Sequence, residues 1–411
     1  MDAKSIGQTI AMLRRKSGMT QSELAGRLHI SDKTVSKWEG GYGYPEITQF
    51  PTLAALFGVS IDYLMTGERR GITVAGNLLT DIVKSVDSYP EKGMLSHITQ
   101  VTRSVGGCAA NTSVDLAKID RSIPVSVIGR IGNDEYGRYV ISELQHYGIN
   151  TGDVTVSESR PTSFSDVMSL PSGERTFFHM TGANAEFSPD DIDISSLNCS
   201  ILHIGYILLL DRFDSSDDEY GTVMAHFLHD VSERGIKTSI DAVSSNSGNF
   251  ADKMIPPLKY ADYVIVNEIE SCQIFGLDPR KPDGAPNMDS IRTAAEKMVE
   301  HGVRSKVIIH SKEMGCCLDA SSGEFSIVPS LLIPKSEIMG SCGAGDAFCA
   351  GCLYGIYNEY SDDEMLRFAS AAAACSLFAD NAVDGMRSRA EIIKAAEKYP
   401  RASDRYFESH I

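Results

Sequence analysis

The chain has 411 residues, with 55 Asp and Glu against 38 Lys and Arg, for a net charge of −17. That length exceeds what one ordinary core serves and predicts two domains, while 42% apolar and 23% charged residues exclude a disordered chain. No apolar run reaches the roughly 18 residues that span a bilayer, and the N-terminus lacks a signal-peptide core, so the expectation is a cytoplasmic protein with no membrane partner.

In chain order, the first 66 residues read as five short helices. Ile6, Ile10 and Leu13 give the first an apolar face, and Gly18 stops it. Thr20 with Glu23 three positions on is a capping box for the second, whose buried side is Leu24, Ala25 and Leu28. Ser31 caps a third, with Val35 and Trp38 inward. Gly40, Gly41 and Gly43 form a loop. Pro45 then starts a fourth helix with Leu53, Leu56 and Phe57 inward, and Ser60 to Leu64 makes a last turn. Residues 67–71 close a polar, flexible linker.

From Ile72 the pattern changes. The strands ITVAG, SVIGRIG, ILHIGYI, KTSIDAV, YVIVNE and KVIIHS alternate with helical stretches such as TVMAHFLHDVSERG, which predicts a mostly parallel sheet covered by helices on both faces. Residues 162–180 differ: two extended runs flank Pro171-Ser172-Gly173-Glu174 and read as a β-hairpin projecting from the main sheet. The two regions also differ in charge. Residues 1–70 hold nine Lys and Arg against seven Asp and Glu, a balance of +2, and the rest hold 29 against 48, or −19. The total excludes a nonspecific coat on nucleic acid, and the split predicts two kinds of work.

Nine cysteines in a chain without a secretory signal predict free thiols. Cys349 and Cys352 have the spacing of a metal or redox pair. No second pair or nearby His completes a set, and the run AFCAGCLYG is a small-residue helix pattern, so both are read as packing residues.

The segment TQSELAGRLHISDKTVSKWEGG places two capped helices across a turn at His29-Ile30-Ser31. That arrangement lets the second helix enter a major groove while the first crosses the phosphates. The outward positions of the second helix are Asp32, Lys33, Ser36 and Lys37; Lys33 and Lys37 suit phosphate or guanine edges, and Gln21 suits a phosphate. Residues 5–66 resemble the Cro/repressor-type helix-turn-helix family, with Thr20-Gln21, Ala25, Ser31, Val35, Ser36 and Trp38-Glu39 on its pattern. His29 stands where that family has glycine, at a turn residue that needs a left-handed backbone. The resemblance implies an all-α domain over 1–66 that binds a double-stranded DNA operator, a bundle for protein contacts being the other reading. The small charge of +2 favours a homodimer on a two-part site.

In GSCGAGDAF a glycine-rich turn leads into a helix starting near Gly343. Bare N–H groups and the helix dipole would hold an oxyanion there, and Asp346 in the first turn could take a proton from a hydroxyl. Taken alone, the same pattern also fits a tight turn with Asp complementing the dipole. It is not alone. Gly106-Gly107-Cys108-Ala109-Ala110-Asn111 is a second such turn, Gly129, Gly132, Asp134 and Gly137 follow, Asp81 lies after the first strand, and Asn267 and Glu270 form Asn-x-x-Glu. Together these resemble the ribokinase-like (PfkB) carbohydrate kinase family over about residues 71–395, in that family's order. No Gly-Lys-Ser loop of the P-loop kind is present.

The resemblance implies an α/β ribokinase-like domain over 72–400 with a small β lid, then a tail over 401–411, with ATP and Mg²⁺ as cofactors and a sugar or nucleoside as acceptor. Asp346 would be the catalytic base, and Gly343, Ala344 and Gly345 the anion hole. Asn267 and Glu270 would organise Mg²⁺ through water, and Asp81, Gly107 and Asn111 would bond acceptor hydroxyls. Lys312 and Gly315 would lie at the nucleotide. The hairpin near 162–180 and the strand after Tyr89-Pro90 would form the lid. Two positions depart from the pattern: Gly340, where the family has Asp or Asn at a loop that binds a monovalent cation in some members, and Lys312, where it has glycine. Arg175 is read as a surface charge of the lid, with a contact to an anionic substrate group as the alternative. Asp241 either lines the site or is a solvated strand end, and His310 is a packing residue. Two functions follow: a kinase carrying its own DNA-binding domain, supported by the intact Asp346, or a regulator whose kinase fold only senses a sugar or nucleotide.

Overall fold

The computed structural model describes residues 2–170, 174–244 and 250–402. It forms two compact units. The first contains α1 (Ala3–Lys16), α2 (Gln21–Leu28), α3 (Asp32–Glu39), α4 (Gln49–Phe57) and α5 (Ile61–Thr66). Thr20 accepts from the Glu23 N–H and the Glu23 carboxylate accepts back from Thr20, so the capping box is formed. Ser31 caps α3 by accepting from the Thr34 N–H. His29 takes the left-handed turn at φ 55° and ψ 39°. The apolar faces meet in one core of Ile6, Ile10, Leu24, Val35, Leu53 and Leu64. One expectation fails. Pro45 lies in the loop, and α4 begins at Gln49. Its proline is Pro51, in the first turn, where the N–H groups have no intrahelical partner to lose.

The same unit takes in Asp193–Ser200. Arg69 Nη1 donates to the Leu197 carbonyl at 2.6 Å, and Ser200 Oγ donates to the Arg69 carbonyl at 2.6 Å. Residues 67–71, expected from sequence to be a flexible linker, are therefore hydrogen-bonded to this segment.

The second unit is built on an eight-stranded sheet. Its strands and those of the lid are, in chain order, β1 (Ile72–Ala75), β2 (Leu79–Val86), β3 (Ile98–Gly106), β4 (Val125–Ile128), β5 (Ser163–Ser169) and β6 (Arg175–Met180), then β7 (Ile201–Ile207), β8 (Lys237–Ala242), β9 (Tyr263–Asn267), β10 (Lys306–His310), β11 (Met314–Asp319) and β12 (Phe325–Pro329). The main sheet runs β12-β11-β10-β9-β8-β7-β1-β4, parallel from β10 to β4, with β11 and β12 antiparallel at the far edge. The six parallel strands are the six apolar runs read from sequence. Helices α6 (Cys108–Ile119), α7 (Glu135–His146), α8 (Val223–Glu233), α9 (Phe250–Leu258), α10 (Glu268–Ile274), α11 (Met288–Glu300), α12 (Ala344–Tyr357), α13 (Asp362–Ser376) and α14 (Arg389–Lys398) complete the domain. Parallel strands need such crossovers, and the helices bury both faces of the sheet. Cys349 and Cys352 are buried in α12, as packing residues should be.

The lid is a separate four-stranded sheet, β3-β2-β5-β6. The expected hairpin is its β5–β6 pair, antiparallel from Phe164–Met180 to Ser169–Arg175. Its turn at Pro171-Ser172-Gly173 lies outside the described residues, as do residues 403–411 of the expected tail. Arg401 bridges to Leu331, so the tail's first residue belongs to the fold. No helix among the described residues is long and apolar enough to cross a membrane.

Candidate active site

Open α/β sheets bind ligands beyond the carboxyl ends of their parallel strands, where the strand order reverses. Here Tyr206 lies at the end of β7, Asp241 at the end of β8, Asn267 at the end of β9 and His310 at the end of β10. These residues line one cleft with Glu270, Gly343, Gly345 and Asp346. Gly343 precedes α12 at φ 78°, and a Cβ there would stand 2.6 Å from Ala382 Cα, so only glycine lets the chain turn against that segment. Ala344 turns its N–H back to the Ser341 carbonyl at 3.3 Å. The anion hole expected of Gly343, Ala344 and Gly345 thus narrows to the N–H groups of the two glycines and the positive end of a 14-residue helix.

Asp346 is 4% exposed in the first turn of α12. Asn111 Nδ2 donates to its Oδ2 at 2.9 Å, and the Tyr206 hydroxyl donates to Oδ1 and Oδ2 at 3.0 and 3.2 Å. Burial pushes the carboxyl up to about 6, against the opposing pull of those two donors. At neutral pH it is mostly ionised and still basic, which is what a general base requires. Sequence reasoning misses Tyr206. It sits at φ 62°, an uncommon backbone for a large side chain, near the end of the buried strand ILHIGYI. Burial, then the Asp346 charge, holds its phenol well above the usual range, so it stays a donor.

Asn111, expected to contact the acceptor, donates its amide to Asp346, the expected base. Its Oδ1 is buried with no partner among the described residues, which leaves one acceptor that an incoming hydroxyl could use. Asn111 stands in the first turn of α6, capped by Gly107 at φ 87°. Asp81 lies on β2 of the lid, a strand the sequence pattern does not reveal, opposite Ser104 and Ser165. A Cβ on Gly106 would collide with its carboxylate. Burial raises Asp81 to about 6, the Ser165 hydroxyl opposing.

Asn-x-x-Glu proves to be a capping box. Asn267 Oδ1 accepts from the N–H groups of Ile269 and Glu270, and the Glu270 carboxylate accepts from the Asn267 N–H at 2.9 Å. The box fixes Glu270 at the cleft wall, where the Ser244 hydroxyl also donates to it at 2.8 Å. Burial pushes Glu270 up to about 7, and Asp241 well above the usual range, through burial and then the nearby Glu270 and Asp346 charges. Asp241 therefore lines the site. Neighbouring carboxyls raised by burial, and in Asp241 also by Glu270, are a pair that a divalent cation, held through its waters, would relieve. Among the described residues no set of three His, Cys, Asp or Glu is arranged to ligate a metal directly.

A second groove adjoins this cleft, lined by Asn267, Ile269, His310, Lys312, Gly345 and Leu377. Lys312 is 82% exposed there, with Nζ 3.6 Å from Glu313. Gly315 is elsewhere. It is buried in β11, where a Cβ would stand 2.9 Å from the Phe348 ring, so its glycine serves packing rather than a nucleotide. His310 stacks at a tilt on Phe348, centroids 4.8 Å apart, and burial lowers it to about 4, which keeps it neutral.

On the first unit, Asp32, Lys33, Ser36 and Lys37 are exposed together on α3. Gln21 is not free: its Nε2 donates to Glu39 Oε2 at 2.7 Å, and the same carboxylate accepts from Arg14 at 2.6 and 2.9 Å.

Comparison with known proteins places both parts of the chain in families. The model of the pfkB family carbohydrate kinases matches residues 69–389, and that of a helix-turn-helix domain matches residues 7–70. The ribokinase of Arabidopsis thaliana is 24% identical over 327 residues, 79% of this chain and 80% of the relative. The 5-dehydro-2-deoxygluconokinase of Geobacillus kaustophilus is 22% identical over 323 residues, 74% and 87% of the two chains. Among solved structures, a ribokinase from Thermotoga maritima matches with a TM-score of 0.65 at 23% identity, covering 80% of this chain and 99% of its own. A nucleoside kinase of Methanocaldococcus jannaschii matches at 0.60 and 18%, covering 81% and 100%. With a helix-turn-helix domain ahead of it, the body of this chain belongs to the pfkB family of carbohydrate kinases.

Proposed function

We propose that the chain transfers the terminal phosphoryl group of ATP to a hydroxyl of a sugar or nucleoside, and that its helix-turn-helix domain binds a DNA operator, as a homodimer, in the same cytoplasmic protein. The observation that carries the kinase reading is Asp346, an ionisable base held by Tyr206 and Asn111 beside the bare N–H groups of Gly343 and Gly345. Asp346 accepts the proton as the acceptor oxygen attacks. The glycine N–H groups and the α12 dipole bear the charge that develops on the phosphoryl oxygens. Asp81 and the free Oδ1 of Asn111 hold the acceptor's other hydroxyls, and the lid excludes water, the competing acceptor. Asn267, Glu270 and Asp241, which line the cleft, would hold Mg²⁺ through water, and the ion when bound would neutralise phosphate charge. The groove at His310, Ile269 and Leu377 takes the nucleotide, with Lys312 at its rim. Ribokinase from Arabidopsis thaliana, solved with ribose and ATP, shares the fold and supports the choice of ATP and a sugar.

A pure sensor has no need of an oriented base, so catalysis is preferred to sensing. On α3, Lys33 and Lys37 meet phosphates or guanine edges, with Asp32 and Ser36 beside them. Occupancy of the kinase site shifts operator affinity if the acceptor binds the two states of the dimer unequally. The test is ATP consumption against a panel of sugars and nucleosides, in wild type and Asp346→Asn. The variant loses about 10²–10⁴-fold in turnover with the best acceptor. If no acceptor stimulates wild-type turnover while acceptors still change operator affinity, the domain is a sensor and the enzyme reading falls.

A further inference from the structure

Strand pairing in the lid sorts its side chains into rows. Ser104, Asp81, Ser165 and His179 face one another across the four strands; Thr102, Val83, Val167 and Phe177 form the next row, and Gln100, Ser85, Ser169 and Arg175 the third. Side chains two apart along a strand share a face, so all three rows look the same way. A cavity of ≈ 600 Å³ lies between the outer two rows and the loop Ile338–Cys342; its polar lining includes Ser85, Gln100, Ser169 and Arg175, with Asp380 at Arg175 and apolar side chains such as Phe177 and Met339 completing it. It continues the acceptor site, because Asp81 stands in the first row and Ser341 lines both this cavity and the Asp346 cleft.

Arg175 supplies positive charge to that cavity. Its Nη2 donates to the Asp380 carbonyl at 2.7 Å, and it makes no ion pair with a carboxylate among the described residues. A carbonyl leaves the guanidinium charge intact and most of its five N–H donors unspent. The bond also aims the side chain inward: a Cβ on Gly340 would stand 3.5 Å from Nη2. The carboxylates of Asp346 and Asp81 thus stand at the reacting end of the acceptor path, and the far end carries the Arg175 guanidinium with hydroxyls, beside the exposed Asp380. The guanidinium is near enough to Asp81 to pull its carboxyl down against burial.

We propose that Arg175, with Ser85, Gln100 and Ser169, binds an anionic group at the end of the acceptor remote from the reacting hydroxyl, so that the acceptor is an acidic sugar derivative, a carboxylate or a phosphate ester, rather than a neutral sugar. This rests on the acceptor reading of Asp81 and Asp346. The test is isothermal titration of the full chain with matched pairs: gluconate against sorbitol, glucuronate against glucose, ribose 5-phosphate against ribose. A charge-assisted bond contributes enough for the anionic member of at least one pair to bind about 10–100-fold tighter than its neutral partner. The winning pair shows whether carboxylate or phosphate is read. Arg175→Met abolishes that preference with little change for the neutral partner, and Arg175→Lys restores part of it. Equal affinity within every pair, or an equal loss for both members in Arg175→Met, overturns the proposal and leaves Arg175 as a latch on Asp380. ATP turnover is read separately. An Arg175-dependent preference without turnover removes the kinase reading and keeps the anion site, whereas turnover of neutral sugars without preference does the reverse.

Discussion

Tyr206→Phe isolates the control of the base. The substitution keeps the ring and the Cβ, so the left-handed backbone at φ 62° is no more strained than before, and the hydroxyl that donates to both Asp346 oxygens is removed. Asn111 still holds Oδ2. A hydrogen bond to a charged group contributes about 1.5–3 kcal/mol, and one pKa unit corresponds to about 1.4 kcal/mol. Because the phenol stabilises the carboxylate and not the acid, its loss raises Asp346 by about one to two units above its present value of about 6. The ionised fraction at pH 7 then falls about two- to tenfold, and kcat/KM with it. The assay is kcat/KM for the best acceptor across about pH 5 to 9.5 at saturating Mg-ATP, where the limb reports the free base. Its midpoint moves to higher pH, and the two profiles converge on the alkaline side. A uniform loss at every pH, with an unmoved midpoint, would refute the reasoning and make Tyr206 a substrate contact.

Gly343→Ala forces a left-handed Ala, costing about 1–2 kcal/mol, and drives its Cβ onto Ala382. The first turn of α12 shifts, and kcat falls about 10–10³-fold in a chain that still melts cooperatively; wild-type kcat would remove the anion hole from the reading. Lys33→Ala with Lys37→Ala weakens operator binding, and each phosphate left without its lysine flattens the salt slope by about one, read by fluorescence anisotropy across a salt series. Unchanged binding would move the DNA interface off α3. Asp115 is fully buried in α6 with neither oxygen hydrogen-bonded among the described residues, and burial, then the Asp346 charge, holds it well above the carboxylate range. Its folded value exceeds the unfolded one of about 3.9, so the neutral acid's stability is complete below that pH and is lost as pH rises toward the folded value. Thermal melts of Asp115→Asn against wild type should therefore diverge above about pH 4, the variant gaining by up to about 1.4 kcal/mol per pH unit; a constant difference would show that Asp115 carries a bond in solution.

What is legible in the sequence follows local rules. A capping box, an N-cap and a helical stripe are each settled within four residues, so α2 and α3 fall where the sequence places them. The six parallel strands are continuous apolar runs because both faces are buried, and that pattern survives without neighbours. β2 shows no such run, since Leu79–Val86 carries Asp81, Lys84 and Ser85 on a sheet whose faces are both partly wet. Its pairing partners lie in β3 and in β5, more than 75 residues on for the latter, and only they make it a strand.

The site divides along the same line. Gly343 and Asp346 are close in sequence because a helix start and its first turn must be, so one motif reveals both. The partners of Asp346 come from positions 235 and 140 residues away, on α6 and β7, and no spacing rule links them. The glycine-rich turn before Asn111 marks it as a candidate site residue without saying what it touches; in the fold its amide donates to Asp346 and its Oδ1 has no partner among the described residues. Asn267 and Glu270 show the converse. From sequence the pair is read only through the family resemblance, as an expected metal-site motif; the structure shows it to be a helix cap. The cap holds Glu270 in a first-turn position near enough to Asp241 to raise it, so the bonds that begin a helix also set the charge of the cleft.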